Sequence, residues 1–357
     1  MKATLRNSRR TLIGALTATA LVLAACGGGG GGEGSDSGGG EDETQTLRLS
    51  HQWPAPQGDE GDFRSVIAQR FADAVDEKTG GSVQVKVFPN ATLSEPTEQY
   101  DSMQSGAIDL SVFPLDYASG RVPEFSITLM PTLPRSHAEA QKWQDAEIGK
   151  RIDEITQENG VRVLTWVWNA GAIGSKGEPI VVPDDISDGM KMRAAGSYVE
   201  EMLKSAGAGI SSLPSSEIYS AMQTGVLDAA VTSTGSFASY NLQEQVKSFT
   251  SPTNGYTFWF MFEPLIISNS AWDKLSSEQQ TALQEAGEEL QDFAYEAAEE
   301  DDARVEKIFA DAGVEVTAMD EAAFKEWQTL AEDVWADFAK KVEGGDELLE
   351  LAKKASE

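Results

Sequence analysis

"EQYDSMQSGAIDLSV" (residues 98–112) and "EIYSAMQTGVLDAAV" (residues 217–231) are two copies of one short element. They agree at seven of fifteen positions, whereas unrelated stretches of average composition share about one. In each copy a helical segment ends at a glycine and a strand follows, predicted as "AIDLSVFP" in the first copy. The repetition predicts a protein with two lobes that are built alike.

Each copy follows a strand–helix–strand run of similar length. The resulting β-α-β-α-β order predicts an α/β fold, in which a sheet with parallel strands is covered by helices. Ligands of open α/β sheets bind beyond the carboxyl ends of the strands. If the lobes face each other, residues 113–117 and 232–236 line opposite walls of one cleft.

The C-terminal third is mostly helical in pattern. Ser276 and Gln279 have capping-box spacing, and so do Ser197 and Glu200 at an earlier helix start. From Ser276 the pattern continues for about 36 residues, or about 54 Å of helix. A helix of that length exceeds one small lobe, so we expect it to brace both.

Charge restricts the classes of partner. The 357 residues suggest about two domains, and they carry 58 acidic against 28 basic side chains. Such a surface repels nucleic acid and anionic membranes. It still permits an anionic small ligand, because one buried arginine in a cleft outweighs a distant, screened surface field.

The N-terminus has the features of an export signal. Four basic residues precede the apolar run "TLIGALTATALVLAA", which is too short to span a membrane comfortably. The run ends in "LAAC", which resembles the lipobox of bacterial lipoproteins. We therefore expect a signal peptide at residues 1–25, a lipid anchor on Cys26 and a Gly-rich flexible tether at 26–45. A free thiol in an ordinary signal peptide is the alternative, and "SRRTLI" leaves Sec and twin-arginine export open.

No motif for catalysis or for metal binding occurs in the folded part of the sequence. It has two histidines, and it contains no HExxH, CxxC, GxSxG, GxGxxG or Walker pattern. We expect no cofactor, no metal and no enzymatic activity.

Several segments together resemble one family. They are "FADAVDEKTGGSVQVKVFPNATL", "PDDISDGMKMR", the repeated Gly-x-Ile/Leu-Asp element and the long C-terminal helix. Across residues 46–340 the chain resembles the solute-binding proteins of tripartite ATP-independent periplasmic (TRAP) transporters, of the C4-dicarboxylate-binding type. The resemblance implies an extracytoplasmic, two-lobed binder that closes on an organic acid and delivers it to TRAP permease subunits. A lipid-anchored sensor and a cell-surface enzyme on the same fold are the alternatives.

The resemblance also implies where the lobes divide. Lobe I takes residues 46–168 and about 258–298, and lobe II takes about 169–257 and 299–357.

Arg193 matches the family arginine that pairs with the ligand carboxylate. A guanidinium offers a two-pronged donor to a carboxylate. Arg193 also precedes the helix start at Ser197, where free N–H groups favour an anion. Without the resemblance, an ordinary surface ion pair is the alternative.

Further candidate ligand contacts fall at the strand ends and at the expected crossings between lobes. They are Thr232, Ser233, Ser197, Ser215, Trp168, Asn169, Trp259, His51 and Asp116. Thr232 stands where the family often has asparagine, and Ser215 where some members have an aromatic residue, so the specific acid stays open. A ligand-free Ser/Thr loop, core tryptophans and a structural histidine are the alternatives.

Overall fold

The computed structural model describes residues 44–356. The predicted signal peptide, Cys26 and residues 27–43 of the tether lie outside the described residues. The described strands are β1 Gln45–Ser50, β2 Val83–Phe88, β3 Leu110–Val112, β4 Val161–Thr165, β5 Trp168–Ser175, β6 Lys191–Arg193, β7 Gly209–Ile210, β8 Ala229–Ser233, β9 Ser248–Ser251, β10 Phe260–Phe262, β11 Leu265–Ser268 and β12 Glu315–Ala318. The described helices are α1 Phe63–Lys78, α2 Gln99–Gln104, α3 His137–Asp145, α4 Glu147–Glu158, α5 Ser197–Ser205, α6 Ile218–Gln223, α7 Thr234–Ser239, α8 Asn269–Trp272, α9 Ser277–Glu289, α10 Gln291–Asp311, α11 Glu321–Lys341 and α12 Gly345–Ala355.

The strands form two sheets of related topology, and each sheet is the centre of one lobe. The first has the order β2-β1-β3-β11-β4, and the second β12-β9-β5-β8-β6-β7, with β10 added to β5. β1 is parallel to β2 and β3, and β6 is parallel to β7 and β8. In each sheet an antiparallel strand, β11 or β5, then pairs with β3 or β8. The predicted two-lobed α/β fold is confirmed.

The repeated element has the same local structure in both lobes. α2 leads to β3 through Gly106, and α6 leads to β8 through Gly225, with φ of +74° and +77°. A positive φ suits glycine because it has no Cβ to collide with the following carbonyl oxygen. The repeated methionines Met103 and Met222 are fully buried beneath the element.

The chain passes between the two sheets at two places, and a long helical segment, α9 with α10, packs on both lobes. The crossings follow β4, at residues 166–167, and β10, at residues 263–264. The lobe boundaries near 168 and 258 stay a prediction. α9 packs on α1 and β4, whereas α10 packs on α7 and β5. Leu290 separates the two helices but keeps helical angles (φ −87°, ψ −7°), so the predicted brace is present.

The helix caps follow the prediction in one case and not in the other. Ser276 and Gln279 form the expected capping box. The prediction for Ser197 and Glu200 was wrong, because Gly196 is the N-cap of α5 and Ser197 is its first residue. Across residues 44–356, no helix is both long and apolar enough to cross a membrane.

Candidate functional site

Arg193 is a buried cation with neutral partners. It ends β6 and is 1% exposed. Its Nε donates to the Leu213 carbonyl (2.9 Å), Nη1 to the Val231 carbonyl (2.8 Å) and Nη2 to the Tyr117 hydroxyl (3.2 Å). Among the described residues it has no ion pair with Asp or Glu. Because a buried charge is costly unless it is paired, this guanidinium is suited to an anionic ligand.

A cavity of about 400 Å³ has walls from both lobes, and although Arg193 does not line it, two hydrogen-bond partners of Arg193 do. The first lobe contributes Thr97, Asp116 and Tyr117, and the second contributes Ala194, Ala195, Gly196, Ser197, Glu200, Ser212, Leu213 and Pro214. Two of these, Tyr117 and Leu213, also hold the Arg193 guanidinium. The first turn of α5 begins at the wall, and its free N–H groups favour an anion.

Asp116 is a buried carboxyl in this wall. It is 5% exposed, and its Oδ1 atom has no hydrogen-bond partner in the described part of the chain. Burial, followed by the negative charge of Glu200, raises the pKa of Asp116 to about 7, although Arg193 acts in the opposite direction. Asp116 therefore takes up a proton at a much higher pH than an ordinary aspartate does.

A second buried arginine, Arg64, is fully neutralised. Its guanidinium lies 2.6 Å from carboxylate oxygens of both Asp62 and Glu263, and 4.0 Å from the ring centre of Trp53. Glu263 also accepts from Asn169 Nδ2 at 2.5 Å. Burial raises the pKa of Glu263, whereas the charge and hydrogen bonds of Arg64 overcome burial and hold the pKa of Asp62 below its ordinary value. With two carboxylates already in place, Arg64 has no charge left over for a ligand.

The two lobes are joined by hydrogen bonds around this ion cluster. Arg64 Nη1 donates to Ser233 Oγ (2.9 Å), and Ser239 Oγ donates to Asp62 Oδ2 (2.6 Å). Nearby, Ser215 Oγ donates to the side chain of Gln52 (3.2 Å) and Tyr240 to its carbonyl (3.0 Å). These contacts join the start of α1 and the segment after β1 in the first lobe to β8 and the end of α7 in the second.

The structure brings some of the predicted residues together and separates others. Asp116 and Ser197 line the cavity beside Arg193. Asn169 and Ser233 contact the Arg64 cluster instead, Ser215 bonds Gln52, and Thr232 is buried on β8, next to Val231.

His51 and the two tryptophans do not line the cavity. His51 is fully buried against Trp53, and burial lowers its pKa to about 4, so it is neutral at physiological pH. Trp168 packs against Trp143 and Phe262 in the core. Trp259 covers Gly171, where an added Cβ would lie 2.5 Å from the indole.

Tyr117 was expected as part of the cleft wall formed by residues 113–117, although not as a partner of Arg193, and sequence reasoning missed Asp62, Arg64 and Glu263. A signal existed for Glu263, because its charge interrupts the apolar run "FWFMFEPLII", whereas Arg64 lies in "FRSVIAQRF" beside other polar residues and gave a weaker one. Such interruptions often mark a buried ion pair. Among the described residues, no group of three His, Cys, Asp or Glu side chains is arranged to hold a metal ion.

Comparison with known proteins identifies the family. The family described as bacterial extracellular solute-binding protein, family 7, matches residues 59–341. This chain belongs to that family. A solute-binding protein of Albidiferax ferrireducens is 40% identical over 312 residues, covering 87% of this chain and 92% of the relative.

Solved structures of TRAP periplasmic solute-binding proteins are similar over the same span. One from Rhodoferax ferrireducens, with bound malonate, is 40% identical, has a TM-score of 0.84 and covers 87% of this chain and 98% of its own. Another, from Sulfitobacter sp. NAS-14.1 with bound β-D-galacturonate, is 25% identical, has a TM-score of 0.78 and covers 87% and 100%. Family membership therefore extends over both lobes.

Proposed function

We propose that this protein captures an organic acid between its lobes and delivers it to a TRAP-type permease. The observation that carries the proposal is Arg193, a buried guanidinium whose described partners are all neutral. The ligand's carboxylate supplies the missing negative charge. The ligands named for two related structures, malonate and β-D-galacturonate, both carry a carboxylate.

Capture involves closure of the lobes about the two crossings. The lobes are residues 46–168 with about 258–298, and about 169–257 with 299–357. Contacts such as Arg64 to Ser233 and Ser239 to Asp62 join them in the closed form. The proposal keeps Thr232, Ser215, Asn169, Trp168, Trp259 and His51 as residues that shape the site from outside the lining of this cavity.

A thermal-shift screen of organic acids, followed by calorimetry, tests this proposal, because a ligand bound only by the native state raises the melting temperature. Losing one partner of a buried charge pair costs about 3–5 kcal/mol. Each 1.4 kcal/mol of binding free energy corresponds to about a tenfold change in affinity. We therefore expect Arg193→Ala to lower the affinity for the best acid at least about a hundredfold. Arg193→Lys should recover only part of the loss, because an ammonium group cannot form the fork.

Arg121→Ala is the matched control, since the Arg121 side chain is 67% exposed and pairs with Asp101 at the surface. It should leave affinity unchanged. Binding by Arg193→Ala within threefold of the wild type, with cooperative unfolding retained, would contradict the proposed role of Arg193.

The proposal includes a lipid anchor on Cys26, which its lipobox-like context and the Gly-rich tether support. Cys26→Ala should release the protein from the membrane fraction. Retention of this variant in washed membranes would contradict the anchor and leave ligand capture untouched.

A further inference from the structure

Two carboxyl side chains, one from each lobe, line the cavity beside Arg193. Asp116 belongs to the first lobe and Glu200 to the second. Glu200 already has partners, because Oε1 accepts from Ser212 Oγ at 2.5 Å and Oε2 lies 3.8 Å from Lys204 Nζ. Asp116 is different, since its Oδ1 atom is buried without a partner in the described residues. A buried acceptor that the protein leaves unpaired is suited to a group supplied by the ligand.

The charges around Asp116 determine which ligand groups it can accept. Glu200 and Arg193 are the charged groups whose fields act on it, and Tyr117 is its neighbour in the chain. Once the carboxylate of a ligand neutralises Arg193, no uncompensated cation remains in these walls. A second carboxylate on the ligand then faces Asp116 and Glu200 together, and like charges at such a site repel strongly.

We propose that Asp116 selects the ligand class of this cavity. As a carboxylate it accepts a hydrogen bond from a hydroxyl or ammonium group on the body of the acid. It admits a second ligand carboxylate only after taking up a proton, so that its O–H becomes the donor. This inference rests on the proposed function, because Arg193 must hold the first carboxylate.

Four acids with a four-carbon chain and one common carboxylate make the test: butyrate, 4-hydroxybutyrate, 4-aminobutyrate and succinate. Calorimetric titration at pH 8.5 should show the hydroxy and amino acids binding at least tenfold more tightly than butyrate. Succinate should bind at least tenfold more tightly at pH 6.5 than at pH 8.5. The affinities of the other three acids should change less between these pH values, because none of these acids requires protonated Asp116.

Asp116→Asn separates selection from mere structural support. An amide keeps an acceptor and adds a donor, but it cannot carry a charge. The variant should lose the pH dependence of succinate binding, lose at least tenfold in affinity for 4-aminobutyrate and keep butyrate within threefold. A purely structural defect would weaken all four acids alike. Asp101→Asn, at an exposed position of the same lobe, is the control and should match the wild type.

Succinate affinity that is independent of pH in the wild type would overturn the inference, as would an unchanged preference in Asp116→Asn. Arg193→Ala keeps this failure distinct from failure of the proposed function. If Arg193→Ala weakens all four acids while Asp116→Asn changes none, only the role of Asp116 is wrong. If Arg193→Ala weakens none of them, the role of Arg193 is wrong and this inference falls with it. If no acid of the thermal-shift screen binds the wild type, carboxylate capture itself is overturned.

Discussion

In the first lobe Asp109 accepts a hydrogen bond from the backbone N–H of Arg48, and in the second lobe Asp228 accepts one from the backbone N–H of Lys191. Each aspartate thus attaches its repeated element to the neighbouring parallel strand, β1 in the first lobe and β6 in the second. Strand register then aligns the next positions: Ser50 pairs with Ser111, and Arg193 with Ala230. Ser50 and Arg193 are therefore equivalent positions in the two lobes.

The two equivalent positions differ in charge, although the two lobes share the same local fold. Both sites are buried at a strand end, yet only the second lobe has a cation there. The buried cation of the first lobe, Arg64, comes from α1 and is neutralised by Asp62 and Glu263. We infer that the second lobe holds the charge of the ligand, while the first lobe supplies neutral and acidic contacts.

The largest expected effect is the difference in stability between variants of the two buried arginines. Arg64→Met strands two buried carboxylates, so we expect it to lower the free energy of unfolding by about 3–5 kcal/mol. Arg193→Met leaves only carbonyl and hydroxyl groups without a donor, so about 1–2 kcal/mol is expected. Urea unfolding without added acid measures both. Equal losses would show that Arg193 has a structural counter-charge, and the contrast between the arginines would fail.

The sequence predicted the scaffold better than the site. The repeat, the glycine stops and the parallel strand order depend on local pattern and spacing, so the two lobes followed directly from residues 98–112 and 217–231. The Arg64 cluster brings together Asp62, Asn169 and Glu263, which are far apart in the chain and meet only because the chain crosses between the lobes twice. Local pattern can mark a single charge such as Glu263 as unusual, but it does not say which distant residues that charge meets.

His51 and Trp168 show the same limit. Their positions near strand ends and crossings were correct, but the direction in which a side chain points depends on packing. Trp168 turns toward Trp143 and Phe262, and His51 lies against Trp53. The position of Asp116 near a strand end was predicted from the sequence. Its burial was not, because the cavity that it lines also has walls from the second lobe.

A smaller effect tests whether the repeated aspartates have equal roles. Asp109 also pairs with the Arg48 side chain at 2.9 Å and is mostly buried, whereas Asp228 is exposed. We expect Asp109→Ala to cost about 2 kcal/mol and Asp228→Ala about 1 kcal/mol, since hydrogen bonds to charged groups are stronger when shielded from water. Denaturant midpoints at a constant m-value measure the difference. A greater loss for Asp228→Ala would contradict the assignment of the stronger anchor to the first lobe.

The smallest effect concerns the glycines that end α2 and α6. Gly106 and Gly225 have φ of +74° and +77°, and a Cβ added at either position would meet no atom within 4 Å. Alanine at either position would introduce only backbone strain. Each substitution should therefore lower the free energy of unfolding by about 1 kcal/mol, and the loss should be the same in both lobes. Gly120→Ala is the control, because that position is equally open but does not have a positive φ. In thermal or urea unfolding, the midpoint of the control should stay close to that of the wild type. The midpoints of the two repeat variants should fall by the same amount. A clear inequality between Gly106→Ala and Gly225→Ala would mean that one copy of the element can relax its turn, and that the two lobes are alike in sequence without being alike in rigidity.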